Sequence, residues 1–208
     1  MIKLFNIKFL ITLLFLTKIS FSGMAQCGLQ VSRVIPIGEM SKVLSPGMSY
    51  EFTIKPSENY QRVKIGFAIG YYSLDALQDT FFTFATHSGG NGTQVVPGYE
   101  IWISYYVIPF GLTSEWKVLD ESFTPFIGFD LYFYLTGFEH IEYYPSYLNL
   151  NETKYTWAAA ALPKAGLSFE LGRKWLILAG VGKSLGFQQG GNSQYYWKPF
   201  INISYYPR

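Results

Sequence analysis

The sequence predicts an all-β chain: a closed, antiparallel, up-and-down transmembrane β-barrel of eight strands after a cleaved export signal. Three observations predict it. Charged residues make up only 14% of the 208 and aromatic residues 19%, yet mean hydropathy is just +0.13. Ordinary soluble domains carry about 25% charged residues, and helical membrane proteins are far more apolar. From residue 28 onward the dominant pattern is alternation with a period of two, the signature of strands with two unlike faces. The connections between alternating segments are short and long in turn, as transmembrane barrels require.

The first 25 residues read as a secretory signal peptide. Lys3 and Lys8 give a positive start, Phe9 to Leu16 a short apolar stretch, and Gly23 and Ala25 the small residues before a cut at Ala25/Gln26. Lys18 interrupts the apolar run, which stays short of the ~20 residues a spanning helix needs. Residues 26–208 then form the barrel domain. Cys27 is the single cysteine, so no internal disulfide can form. Its nearness to the cut raises lipidation as an alternative to a free thiol on a loose N-terminus.

Strands are expected near 29–37, 47–56, 60–74, 100–118, 122–137, 155–171, 174–186 and 195–206. The alternation is clearest in 122–137, where Phe123, Ile127, Phe129, Leu131, Phe133 and Leu135 interleave with Thr124, Gly128, Asp130, Tyr132, Tyr134 and Thr136. The first strand is weaker because Arg33 falls on its apolar face, and the fourth is long, with a bend expected at Pro109. The seventh is small and apolar on both faces. Elsewhere one face is large and apolar while the other mixes Gly, Ser, Thr and charge. A soluble sandwich puts its large residues inside. Glycines such as Gly66, Gly70, Gly128 and Gly166 share the charged face, and small side chains suit a narrow lumen. The apolar face is therefore expected to meet lipid.

Short turns fall at 57–59, 119–121 and 172–173, with longer connections at 38–46, 75–99, 138–154 and 187–194. An even strand number places both termini at the short-turn, periplasmic end. Aromatic girdles are expected from Trp102, Tyr105, Tyr106, Tyr155, Trp157, Tyr195 and Trp197 at the outer side. Trp116, Phe123, Trp175 and Tyr205 would serve the periplasmic side.

Val107-Ile108-Pro109-Phe110, Phe123-Thr124-Pro125-Phe126-Ile127-Gly128 and Ala165-Gly166-Leu167 before a short Gly-Arg-Lys turn resemble the small outer-membrane β-barrels of Bacteroidota, the PorT-related family among them. The Met-Ala-Gln end of the signal is similar to theirs. The resemblance spans roughly residues 29–206 and implies an eight-stranded barrel in a Gram-negative outer membrane. It implies no catalytic signature. Many such barrels end in an aromatic residue, whereas this chain ends Tyr206-Pro207-Arg208.

The inward face carries Glu51, Glu115, Asp130 and Glu170 against Lys55, Arg62, Lys64, Lys117, Lys164 and Lys198. Buried charges must pair. Counting from the turns matches Glu51 with Lys64 and Asp130 with Lys164, with Lys198 at the same level. A paired network filling the lumen is expected; a narrow selective pore is the alternative.

The sequence holds no set of base, nucleophile and orienting group. His87 with Ser88, and His140 with Glu142, are the residues a lipid A-modifying enzyme would use, and this is the second reading. The first is a non-enzymatic outer-membrane barrel acting structurally or as an accessory, partner-binding subunit of an envelope complex. Its partner-binding loops would display Phe81, Phe82 and Phe84, expected as a hairpin above the membrane, and Tyr143, Tyr144 and Tyr147. Expected partners are lipid or lipopolysaccharide of the outer membrane and other proteins there. No metal-ligand spacing and no cofactor motif occurs. A net charge of +2 without a basic run argues against nucleic acid.

Overall fold

The computed structural model describes residues 25–56, 63–77, 80–89, 92–143, 150–172, 174–187 and 195–206. Its strands are β1 (Ala25–Pro36), β2 (Gly47–Pro56), β3 (Val63–Leu74), β4 (Thr80–Gly89), β5 (Gly92–Lys117), β6 (Phe123–Tyr143), β7 (Leu150–Leu171), β8 (Trp175–Lys183), β9 (Leu185–Phe187) and β10 (Tyr196–Tyr205). A 3₁₀ turn, Gly38–Lys42, follows β1. Every pairing is antiparallel.

The sheet runs β3-β2-β1-β10-β8-β7-β6-β5, and β3 pairs with β5 to close the ring at eight walls. β4 pairs only with the upper part of β5 and stands outside the ring, while β9 continues β8 along β7. Closure leaves these eight walls no free edge.

Alternation decides the two surfaces. In β6, Phe133 is 57% exposed, whereas its neighbours Tyr132 and Tyr134 are 2% and 0% exposed. Leu29, Ile65, Leu112, Ile127, Leu167 and Ile201 all face outward, while Glu51, Asp130, Lys164 and Lys198 are buried inside. Apolar outside and charged inside is the inverse of a soluble protein and matches a wall set in hydrocarbon.

Two prolines are accommodated where a neighbour gives up a ladder step, because proline has no amide hydrogen to donate. The β3–β5 register runs to Ile69↔Phe110 and resumes at Tyr72↔Val107, with Pro109 in the gap. The β1–β10 register skips from Ser32↔Phe200 to Ile35↔Trp197, with Pro199 in the gap opposite Arg33. A second irregularity of β5 lies above the barrel, where the β5–β6 register shifts between Trp102 and Ser104.

Other boundaries also move. β1 begins at Ala25, so Cys27 is no loose thiol; it sits within the strand, between Ile54 and Tyr205. The segments 75–99 and 138–154, expected as loops, are largely strand. The 75–99 segment makes the expected hairpin, β4 with β5, and β6 and β7 stay paired up to Glu142↔Leu150.

The wall is uneven. β1, β2, β3, β8 and β10 have 12, 10, 12, 9 and 10 residues. These match the ~9–11 residues that cross a bilayer. β5, β6 and β7 have 26, 21 and 22. Their surplus rises at the end opposite Ala25 and Tyr205, and with β4 it forms a four-stranded sheet beyond the barrel mouth.

Candidate functional site

The lumen is filled in three tiers. At the end near the described termini, Phe126, Leu176, Leu178, Phe200 and Tyr206 form an apolar cluster. Lys64 donates to the Tyr206 hydroxyl at 2.5 Å and to Gln26 Oε1 at 3.2 Å. Lys117 and Glu170 pair beside this tier, partly exposed. Tyr206 thus points into the barrel and Tyr205 outward.

The middle tier is a belt of charge. Glu51 accepts from Lys198, from Tyr132 OH at 2.9 Å, from Gln30 Nε2 at 3.1 Å and from Ser49 Oγ at 3.0 Å. Lys164 lies 2.6 Å from Asp130 Oδ1, 2.8 Å from Thr113 Oγ1 and 3.7 Å from Glu115. Glu115 also pairs with Lys55. Each of these ions therefore meets an opposite charge, and Glu51, Asp130 and Lys164 meet hydroxyl or amide dipoles as well, the condition under which buried charge is tolerated.

The upper tier is apolar again. Tyr72, Tyr134 and Tyr196 are all buried, the last two joined hydroxyl to hydroxyl at 2.5 Å, and they pack with Val34, Leu74, Val107 and Leu162. Met40 and Val43, from the 3₁₀ turn and its cap, and Tyr105 close the tier from above.

Of the expected pairings, Asp130 with Lys164 forms, whereas Glu51 with Lys64 does not. Gly70 faces Glu51 across β2 and β3, and Lys64 lies six residues below Gly70. The β2–β3 register, with Ile54 opposite Phe67, puts Lys64 in the lower tier, and Lys198 takes Glu51. Arg62 lies outside the described residues. Alternation placed Tyr132 and Tyr134 on the face of Asp130, whereas Tyr72, Tyr196, Gln26 and Gln30 were not singled out, although each shares strand parity with an inward charge or glycine.

On the outer surface, Tyr106, Tyr155, Trp157, Tyr195 and Trp197 lie toward the barrel's upper rim, and Trp116, Phe123, Trp175 and Tyr205 at the lower ends of their strands; the Trp102 side chain lies outside the described residues. Tyr105 departs from expectation and packs inward. Tyr106 reaches across Gly137 to Tyr155, hydroxyls 3.3 Å apart, and stacks on Tyr71. A Cβ at Gly137 would sit 2.1 Å from the Tyr106 ring, so only glycine leaves the ring its place.

The projecting sheet is different in kind. Phe82, 78% exposed, packs its ring 5.0 Å from Tyr99, and Tyr99 faces Tyr143 on β6. Ile101 and Val95 extend this exposed apolar face. Phe81, Phe84, His87 and Ser88 are placed by the β4–β5 ladder alone, opposite Glu100, Pro97, Gln94 and Thr93. Tyr144 and Tyr147 lie outside the described residues. On the other face His140 is fully buried, stacked on Phe138, with Nε2 3.1 Å from Glu142 and 3.9 Å from Glu100. Glu142 is therefore brought to His140, while His87 lies on another strand.

No protein-family model matches the sequence, and no curated protein matches it. Solved structures do resemble the fold. Neisserial surface protein A (NspA) is similar over 89% of this chain and 97% of its own, at 10% identity and a TM-score of 0.57. A major outer membrane protein from Thermus thermophilus is similar over 87% and 98%, at 10% identity and a TM-score of 0.51. This chain therefore has the fold of the small, closed, eight-stranded antiparallel β-barrels.

Proposed function

We propose that this chain is a non-enzymatic outer-membrane barrel whose filled lumen is a scaffold and whose projecting sheet binds a partner. The observation that carries this reading is the uneven wall: β5, β6 and β7 are about twice as long as a crossing requires. Extra strand has no role in lipid, so its role lies beyond the membrane. The exposed Phe82, Tyr99, Ile101 and Tyr143 give that sheet an apolar contact face of the kind partners use. The names of the similar structures, both surface or outer-membrane proteins, support the location. In this reading residues 1–25 are the export signal, both termini are periplasmic, the aromatic rings at the strand ends are interface girdles, and the kinship is with the PorT-related barrels of Bacteroidota. The stacked apolar tiers favour a scaffold over a conducting pore.

The test is recovery from native membranes in mild detergent, comparing the intact protein with a variant in which residues 80–101 are replaced by a short turn. A stoichiometric envelope protein recovered with the first and lost from the second supports the reading. Equal recovery from both sinks the assignment to the sheet. The second reading, a lipid A-modifying enzyme, draws on the His140–Glu142 contact. Lipid A unchanged in a His87→Ala/His140→Ala strain disposes of it.

A further inference from the structure

The outward positions of the eight walls, followed up to Tyr106, Leu135 and Trp157, are almost wholly uncharged. Among the described residues they hold two charges, Arg33 on β1 and Lys183 on β8, and both are cations. These two flank the same strand. Trp197 of β10 pairs with Ile35 on one side and Lys183 on the other, and Lys183 Nζ lies 5.4 Å from the Trp197 ring centre. Arg33 sits two residues below Ile35, opposite Pro199, where the ladder is interrupted.

Their height is set by the strand. Lys183 is eight residues above Trp175 and Trp197 eight above Tyr205, and Trp175 and Tyr205 are paired at the lower rim. Eight residues at ~3.4 Å each span about 27 Å along a strand, or about 20 Å of depth at a tilt near 40°. That brings Lys183 close to the upper edge of an apolar band roughly 25 Å tall, while Arg33, level with Pro199 and six residues above Tyr205, has its backbone about 5 Å deeper. A cation costs least near the headgroups, and a side chain as long as that of arginine spans this difference in depth. Two strands at ~4.8 Å and two residues at ~3.4 Å separate the Cα atoms by about 12 Å. No carboxylate shares this outward surface among the described wall residues, so the charge is left for something in the membrane.

We infer that Arg33, Lys183 and Trp197 form a binding site for a phosphorylated glycolipid of the outer leaflet. The two cations, splayed across one strand, address phosphates at opposite ends of a disaccharide headgroup, with Arg33 able to bind one through two parallel N–H groups. Trp197 supplies the flat apolar surface between them for a sugar ring. This inference rests on the proposed outer-membrane orientation, with the long-connection end outward.

The test uses the mature chain in detergent micelles, with bound lipid counted by native mass spectrometry. The probes are diphosphorylated lipid A, fully dephosphorylated lipid A and phosphatidylglycerol. The intact protein is expected to retain diphosphorylated lipid A about tenfold better than either other lipid, and Arg33→Gln/Lys183→Gln to remove that preference. Arg33→Lys/Lys183→Arg keeps both charges and should restore most of it. A double Gln variant that still prefers diphosphorylated lipid A overturns the site, as does equal retention of the dephosphorylated form. Equal retention of phosphatidylglycerol overturns the glycolipid assignment. Orientation is checked separately by an epitope placed after Gln189 and probed on intact cells. Labelling only after permeabilisation would reject the orientation whatever the lipid result.

Discussion

The short wall and the tall wall of this barrel obey different rules. Below the mouth, where both walls close into one ring, the charges of the middle tier pair with one another: Lys198 of β10 with Glu51 of β2 in the short wall, Lys164 of β7 with Asp130 of β6 and Glu115 of β5 in the tall one, and Lys55 of β2 with Glu115 between the two. Above the mouth, the continuation of β5, β6 and β7 with β4 sets His140 beside Glu100 and Glu142, and β4 keeps one edge without a strand partner among the described residues. The contrast teaches that the barrel's stability resides below the mouth and its adaptability above.

Substitutions can break that comparison. Glu51→Ala should have the largest effect. It strips Lys198, Tyr132, Gln30 and Ser49 of one shared acceptor and leaves a buried cation unpaired, which costs about 3–5 kcal/mol. The heat-modified shift on gel electrophoresis should move to markedly lower temperature, and an unchanged midpoint would remove Glu51 from the network's centre. Asp130→Ala should cost less, about 2 kcal/mol, because Lys164 keeps Thr113 and lies 3.7 Å from Glu115. Gly137→Ala should cost about 1–2 kcal/mol by driving the Tyr106 ring off its neighbour. Tyrosine fluorescence and the unfolding midpoint would both report it, and wild-type behaviour would show the ring free to move. Phe82→Ser should change stability by less than about 0.5 kcal/mol, since the side chain is largely exposed. If the midpoint falls as far as for Asp130→Ala, the projecting sheet belongs to the barrel's stability after all.

The walls were readable because one solvent lies on each side and alternation records it residue by residue, as in Phe123 to Thr136. The upper parts of β6 and β7 were not, because the sequence there, with Glu139, Thr153 and Lys154 among its residues, loses the apolar–polar alternation that marks the lower wall. The charged residues of the lumen were legible as a set through their parity with Gly66, Gly128 and Gly166. Their partners were less so. Height in a barrel depends on the register between strands, and the β2–β3 register, with Glu51 opposite Gly70, was enough to exchange Lys64 for Lys198. Of the tyrosine tier, alternation marked Tyr134, whereas Tyr72 and Tyr196 stayed hidden, because in a chain with 17 tyrosines composition alone does not mark which ones are inside.

The bond from Lys198 to Glu51 joins residues 147 positions apart. The cation lies on the last described strand of the ring and the carboxylate it neutralises on the second. Until β10 docks between β1 and β8, an unclosed sheet carries Glu51 with no counter-ion from that strand and a row of free backbone groups along the seam. An apolar medium penalises that open form on both counts. Sequence-distant closure also makes the search for the seam slow. Docking of β10 therefore neutralises the buried carboxylate and satisfies the free backbone groups of the seam in one event.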